Sequence, residues 1–235
     1  DAPIPLFPEP NTSTFFFFFF TGLVATLIVM FTGDQSGISI AREQPMKLAA
    51  AEGLRQGGTQ APFSIIPGIE VPGALSILAT HDLNGYVPGI DNLLQGYTTP
   101  DGQTFPSAEE KMARGRKALA AFTDFRANRL SDPARAAEAR AELQANVDCF
   151  GYGYIQQADD LVPPVWLVYW SFRLMVGLGS LLMLILIVVW WLQHKGRLEN
   201  ARWMHYAALA AIPMVYVAGQ AGWVVAEVGR QPWAI

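Results

Sequence analysis

The sequence predicts an all-α integral membrane protein: a transmembrane helix bundle carrying a large, partly helical extracytoplasmic loop. Three observations lead there. Charged residues make up only 15% of the chain and hydrophobic residues 51%, against about 25% charged in an average globular chain. The missing charge is concentrated in three apolar runs, each near the ~20 residues that a bilayer requires of a helix. Between the first and second runs, about Gly33 to Pro164 is far too long for a plain connection and must fold outside the bilayer.

The first run spans about Phe15 to Thr32 and opens on Phe15 to Phe20. The loop that follows is rich in Gly and Pro at its start, with Pro62, Pro67, Pro72 and Pro88. Within it, Arg42 to Gly53 reads as a short helix with Pro45 in its first turn and Gly53 at its end. Ser107-Ala108-Glu109-Glu110 is a capping box, which opens a helix to about Asn128. Asp132-Pro133 starts a second, Ala-rich helix to about Asn146, with Pro at its first position. Gly151-Tyr152-Gly153-Tyr154 lacks the strand-loop-helix context of a phosphate loop and reads as a turn.

The second run covers about Val165 to Leu192 and the third about Trp203 to Ala226. The third is richer in Ala and Gly, which suits packing inside a bundle, and Pro213 is expected to bend it. His194 to Arg202 joins the two runs and carries three Lys/Arg against one Glu. The positive-inside rule therefore places that turn in the cytoplasm and the long loop outside.

A net charge of −4 gives no reason to expect a nucleic-acid partner, and the 7 Trp suit membrane interfaces. The single cysteine, Cys149, cannot form a disulfide within the chain and reads as a half-buried thiol. The chain begins at Asp1 with no Met and no basic leader, and it ends on the apolar Pro232-Trp233-Ala234-Ile235. It is therefore expected to be a piece of a longer protein, with no readable signal peptide.

Ionisable side chains inside apolar runs are functional candidates. Arg173 and Glu227 qualify, and each is otherwise a snorkelling charge or half of a structural ion pair. Met175 reads, by itself, as packing. His81, His194 and His205 show no ligand spacing. The second run starts outside and the third ends outside. Met175 then lies roughly 15 Å below the start of its helix, and Glu227 is near the outer end of its own. A site shared by loop and helices is possible there and nowhere else in the chain.

In the loop, Glu43 and Lys47 have the spacing of a helical surface pair. Lys47 and Glu52 do not, since five residues are about 140° of helix rotation. Both charges are either solvated or turned toward a third group. In the second case the carboxylate can take a proton from a hydroxyl, and the ammonium can hydrogen-bond the oxygen left behind.

Five segments, in order, carry a resemblance. They are Gly33-Asp34-Gln35-Ser36-Gly37, Gln44 to Glu52, Ile69-Glu70-Val71-Pro72-Gly73-Ala74-Leu75-Ser76, Phe172-Arg173-Leu174-Met175, and Gly222 to Trp233, which reads GWxxxExGRQPW. Together they resemble subunit I of the cytochrome bd-type quinol oxidases over nearly the whole chain, in the variant with a long quinol loop. The last motif is the most specific.

The resemblance implies a division of the chain. Residues 1–33 hold a divergent segment and a transmembrane helix, 34–164 the extracytoplasmic quinol loop, and 165–193 a second transmembrane helix. Residues 194–202 form the cytoplasmic turn and 203–235 the motif-bearing helix. It implies that Lys47 and Glu52 bind quinol, that Met175 ligates a low-spin haem b, and that Arg173 lies beside that haem. Glu227 would ligate a high-spin haem b next to a haem d, or a third b-type haem, where oxygen is reduced. Trp223 and Arg230 would belong to the haem environment.

The implied reaction oxidises two quinols, ubiquinol or menaquinol, on the outer face of a bacterial inner membrane. It reduces one dioxygen to two waters and builds a proton motive force. A second membrane subunit, small accessory subunits and the bilayer are the implied partners. The family's preceding helices, which carry further haem-ligating histidines, have no counterpart in this sequence, and Asp1 to Phe20 depart from the family pattern. The fragment alone is therefore expected to be inactive. The competing class is a non-enzymatic transporter or structural membrane subunit, with which an intramembrane Glu and broken helices are compatible.

Overall fold

The computed structural model describes residues 12–66, 68–198 and 200–232. The Pro-rich start up to Asn11, Pro67, Glu199 and the residues from Trp233, the last of the GWxxxExGRQPW motif, lie outside the described residues.

Helix α1 (Thr12–Glu43) carries the first apolar run and continues well past its expected end, so Gly33-Asp34-Gln35-Ser36-Gly37 is helix rather than the start of the loop. Glycine weakens a helix interior by about 1 kcal/mol each. Thr32 and Ser36 return their hydroxyls to the helix's own carbonyls, at Ile28 and Val29 and at Thr32 respectively, so neither hydroxyl caps a break there. Pro45 ends the helix, because a residue preceding proline is pushed out of the α region; Gln44 sits at φ −135° and ψ 56°.

The single helix expected over Arg42 to Gly53 is therefore divided. Arg42 and Glu43 close α1, and α2 (Pro45–Glu52) starts afresh. Gly53 ends α2 in the left-handed region at φ 64°. There its N–H donates to Ala50 O and that of Leu54 to Ala49 O, the closure that glycine allows at least steric cost.

The loop also contains two small antiparallel hairpins that an all-α expectation did not include. One pairs β1 (Phe63–Ile66) with β2 (Ile69–Val71), the other β3 (Tyr97–Thr98) with β4 (Thr104–Phe105). Two short helices, α3 (Ala74–Thr80) and α4 (Ile90–Gln95), lie between the hairpins.

The second half of the loop follows its caps. In α5 (Ala108–Asn128), Ser107 Oγ accepts from Glu110 N; in α6 (Pro133–Asn146), Asp132 accepts from the N–H groups of Ala134 and Arg135. The glycine-tyrosine segment ends a 3-10 stretch, Val147–Tyr154, laid along α5. The approach is so close that a Cβ on Gly115 would lie 2.3 Å from Gly153 N. Cys149 is buried there, and burial pushes its thiol up.

Helices α7 (Val165–His194) and α8 (Arg202–Val228) are both long and apolar enough to cross a membrane. They pack side by side, and α8 passes through Pro213 unbroken. The loop covers one end of this pair, the start of α7 and the finish of α8. Helix α2 makes that junction: Ala50 and Ala51 share a core with Val168 of α7 and Val225 of α8, flanked by Val165, Phe172 and Val228. Ala49, Ala50 and Ala51 are 0%, 0% and 5% exposed, so the second half of α2 is buried, and its small side chains let it sit close to α7 and α8.

Candidate functional site

Arg173 organises the junction. Its Nη1 donates to Ala51 O, and its Nη2 donates to Glu52 Oε2 at 2.9 Å and to Ser64 O at 2.7 Å. The C-terminus of α2 leaves carbonyls without helical partners and carries partial negative charge. A guanidinium answers both needs, and it reaches them from another helix. Tyr169, one turn earlier on α7, lies under the guanidinium with 3.7 Å between Arg173 Cζ and the ring centre. The Tyr169 hydroxyl is 3.1 Å from Ser64 Oγ, and Ser64 N donates to Glu52 Oε2 at 3.4 Å.

Glu52 is therefore neither solvated nor without a partner: the side chains of Arg173 and Glu52 are 7% and 2% exposed. Burial pushes the Glu52 carboxyl above the usual glutamate range, while Arg173 and the Ser64 N–H pull it back.

Lys47 points elsewhere. The pairing expected with Glu43 does not form, because the break at Gln44 puts the two residues on different helices. Lys47 Nζ donates to Ala226 O at 3.3 Å. Its stem runs over Gly229, where a Cβ would come within 3.0 Å of Lys47 Cγ. Burial pushes the ammonium below its usual range; Arg230 adds to this and Glu227 opposes it. Lys47 and Arg230 also line a small cavity of about 120 Å³ with Gln44 and Lys111.

A larger cavity, about 530 Å³, opens between the C-terminal half of α1, α2, α3 and α7. Its walls are mostly apolar, and Lys47, Glu52 and Met175 all lie on them. Met175 fits there because α8 has Gly222 opposite: a Cβ at that position would be 2.9 Å from the Met175 Sδ. Glu227 and Trp223 do not line this cavity, and Trp223 is 62% exposed on α8.

The structure thus makes two groups from the seven predicted residues. Glu52 and Met175 line the larger cavity, and Arg173 stands behind Glu52. Glu227 and Arg230 gather at the end of α8. Lys47 belongs to both, and Trp223 to neither. Sequence reasoning missed Tyr169 and Ser64. Tyr169 could have been found from its place one helical turn before Arg173. Nothing local marks Ser64.

Among the described residues no three His, Cys, Asp or Glu side chains cluster as a metal site. An iron held here would take its protein ligands singly, as the iron of a haem does. Met175 offers one such thioether donor from α7, packed against Gly222 of α8. Two residues away, Arg173 Nε is buried and has no partner among the described residues, leaving a donor for a group the chain does not supply.

The chain spans less than half the length of the relatives it matches. It is 33% identical over 243 residues to the cytochrome bd-II ubiquinol oxidase subunit 1 of Escherichia coli (strain K12), a match covering 91% of this chain and 44% of that protein. It is 28% identical over 244 residues to the cytochrome bd ubiquinol oxidase subunit 1 of Bacillus subtilis (strain 168), covering 99% of this chain and 40% of the relative. Its fold is similar to the bd oxidase structure from Geobacillus thermodenitrificans, with a TM-score of 0.50 and 25% identity, over 92% of this chain and 36% of that one. The family model for cytochrome bd terminal oxidase subunit I matches residues 9–235. With that match covering nearly all of the sequence, the chain belongs to the cytochrome bd terminal oxidase subunit I family.

Proposed function

We propose that this chain supplies the quinol-oxidising site and two haem ligands of a bacterial inner-membrane terminal oxidase. That oxidase takes electrons from ubiquinol or menaquinol on the outer face and reduces dioxygen to water. One observation carries the reading: a single apolar cavity has Lys47, Glu52 and Met175 on its walls.

A quinol ring is flat and apolar with a hydroxyl at each end, so it suits apolar walls with a charged group at the rim. Lys47 would hydrogen-bond one quinol oxygen. Glu52 would accept the hydroxyl proton, and its raised proton affinity brings it closer to the working pH of a general base. Arg173 holds Oε2; Oε1 takes no part in that bond and is the oxygen that would face the substrate. The surrounding apolar side chains would exclude water and seat the substrate's tail.

Haem, ligated by Met175 at the low-spin site and by Glu227 at the high-spin site, with a haem d or third haem b beyond, would carry the electrons and reduce the oxygen. Proton release outside and uptake inside would generate a proton motive force. In the assembled enzyme the rest of the protein, a second membrane subunit and small accessory subunits would complete the haem sites.

The test is Lys47→Ala and Glu52→Gln in the full-length oxidase. Losing one charged hydrogen bond to substrate costs about 1.5–3 kcal/mol, so quinol oxidation should fall by roughly one to two decades with every haem band retained. Unchanged turnover in both variants would remove the quinol assignment.

A further inference from the structure

Tyr169 belongs to no motif that marked the site, yet it touches every part of what holds Glu52. Its ring lies against the guanidinium of Arg173. Its hydroxyl meets Ser64 Oγ. Its ring edge lies 3.1 Å from where a Cβ on Gly53 would stand, immediately after α2. We propose that Tyr169, acting through Arg173 and Ser64, is the positioning residue that fixes the Glu52 carboxylate at the cavity and so sets quinol oxidation. This rests on reading the cavity as the quinol site.

The argument is one of degrees of freedom. Arg173 reaches α2 from another helix, and a long side chain held only at its tip retains several rotamers. A guanidinium that gives its hydrogen bonds in plane can still tilt about that plane. An aromatic ring stacked on its face removes the tilt, and away from water the attraction of cation for ring is at its strongest. Glu52 is then held twice through Oε2, by Arg173 and by Ser64 N, and Tyr169 secures both donors. The ring holds Arg173, and the hydroxyl holds the residue whose N–H is the second donor. A carboxylate held at one oxygen by two fixed donors presents its other oxygen in a single direction, as a proton acceptor must.

The experiment uses the full-length oxidase carrying Tyr169→Phe or Tyr169→Leu. Haem content is read from dithionite-reduced spectra, and kcat and KM are measured with a short-chain ubiquinol and with menadiol. Tyr169→Phe keeps the stacked ring and loses one neutral hydrogen bond, so kcat/KM should fall about fivefold. Tyr169→Leu loses ring and hydroxyl together and should lose roughly 30-fold, with haem content unchanged. A Leu variant within twofold of wild type would overturn the proposal, as would Phe and Leu variants equally impaired.

Should the Leu variant fail to assemble, a double-mutant cycle of Tyr169→Phe with Ser64→Ala decides. The two hydroxyls bond to each other, so the double variant should lose no more than the more impaired single one; additive losses count against the idea. Glu52→Gln in the same assay separates this inference from the reading beneath it. Normal quinol oxidation by Glu52→Gln removes the quinol site itself. An impaired Glu52→Gln beside a normal Tyr169→Leu removes only the role of Tyr169.

Discussion

The junction of α2 with α7 and α8 and the pair α5–α6 are both helix packings built on alanine, yet they are held in opposite ways. In the junction the polar contacts are buried and distant in sequence: Arg173 reaches partners 109 to 122 residues away. In the α5–α6 pair they are nearer in sequence and wetter, with Arg114 reaching Ala145 and Asn146 across 31 and 32 residues. Arg135 meets Asp124 across 11 residues, with side chains 61% and 35% exposed. The caps of both helices come from the residue just before each. Solvent-exposed contacts suffice to make a scaffold. Placing a carboxylate on a cavity wall needs a cation brought from another part of the chain, and burying that pair is expensive unless each hydrogen bond is made.

The sharpest way to break this contrast is Arg173→Ala. It strands a buried carboxylate and the carbonyls of Ala51 and Ser64, and should cost about 3–5 kcal/mol, read as a fall in the thermal midpoint of the full-length subunit. A loss no larger than that of a surface substitution would put the two regions on one footing.

Gly115→Ala tests the other region. The new methyl would meet the backbone of the 3-10 stretch, and overpacking of this kind costs about 1–3 kcal/mol.

The pH dependence sharpens the difference further. Because burial raises the Glu52 carboxyl, the folded chain keeps a proton there at pH values where the unfolded chain has released it. Stability therefore falls as pH rises from the ordinary glutamate value to the raised one. Glu52→Gln should flatten that part of the stability curve, and an unaltered slope would contradict the direction given for Glu52. The smallest effect is expected from Asp132→Ala, which removes the cap of α6 and should cost about 1 kcal/mol, visible as lost helical ellipticity with the visible spectrum unmoved.

How much was legible in the sequence divides along the same line. Helices α5 and α6 were readable because Ser107 and Asp132 act on N–H groups two or three residues on. Helices α7 and α8 were readable because apolar runs of that length have few other folds in a bilayer. The short strands were not, since two- to four-residue pairings among Gly and Pro leave no periodicity to count. The continuation of α1 was not legible because the apolar run stops at Thr32, whereas the helix stop is set by Pro45. The spacing of Lys47 and Glu52 did reveal that they were not partners. It could not reveal that Arg173 answers Glu52, because that contact exists only after α2 has docked.

That docking sets the tempo of a very short element. An isolated helix below ~12–15 residues is marginal in water and relaxes within about a microsecond. Helix α2 has 8 residues, yet its Ala51 carbonyl and its terminal side chain are clasped by a residue of a 30-residue helix. Its amide protons therefore cannot trade for deuterium at the pace of a free peptide; they wait for the clasp on α7 to open. In heavy water the amides of Ala49 to Ala51 should exchange together and slowly, in step with one another rather than fraying from the ends, so that eight residues between two turns keep the time of the membrane helix beside them.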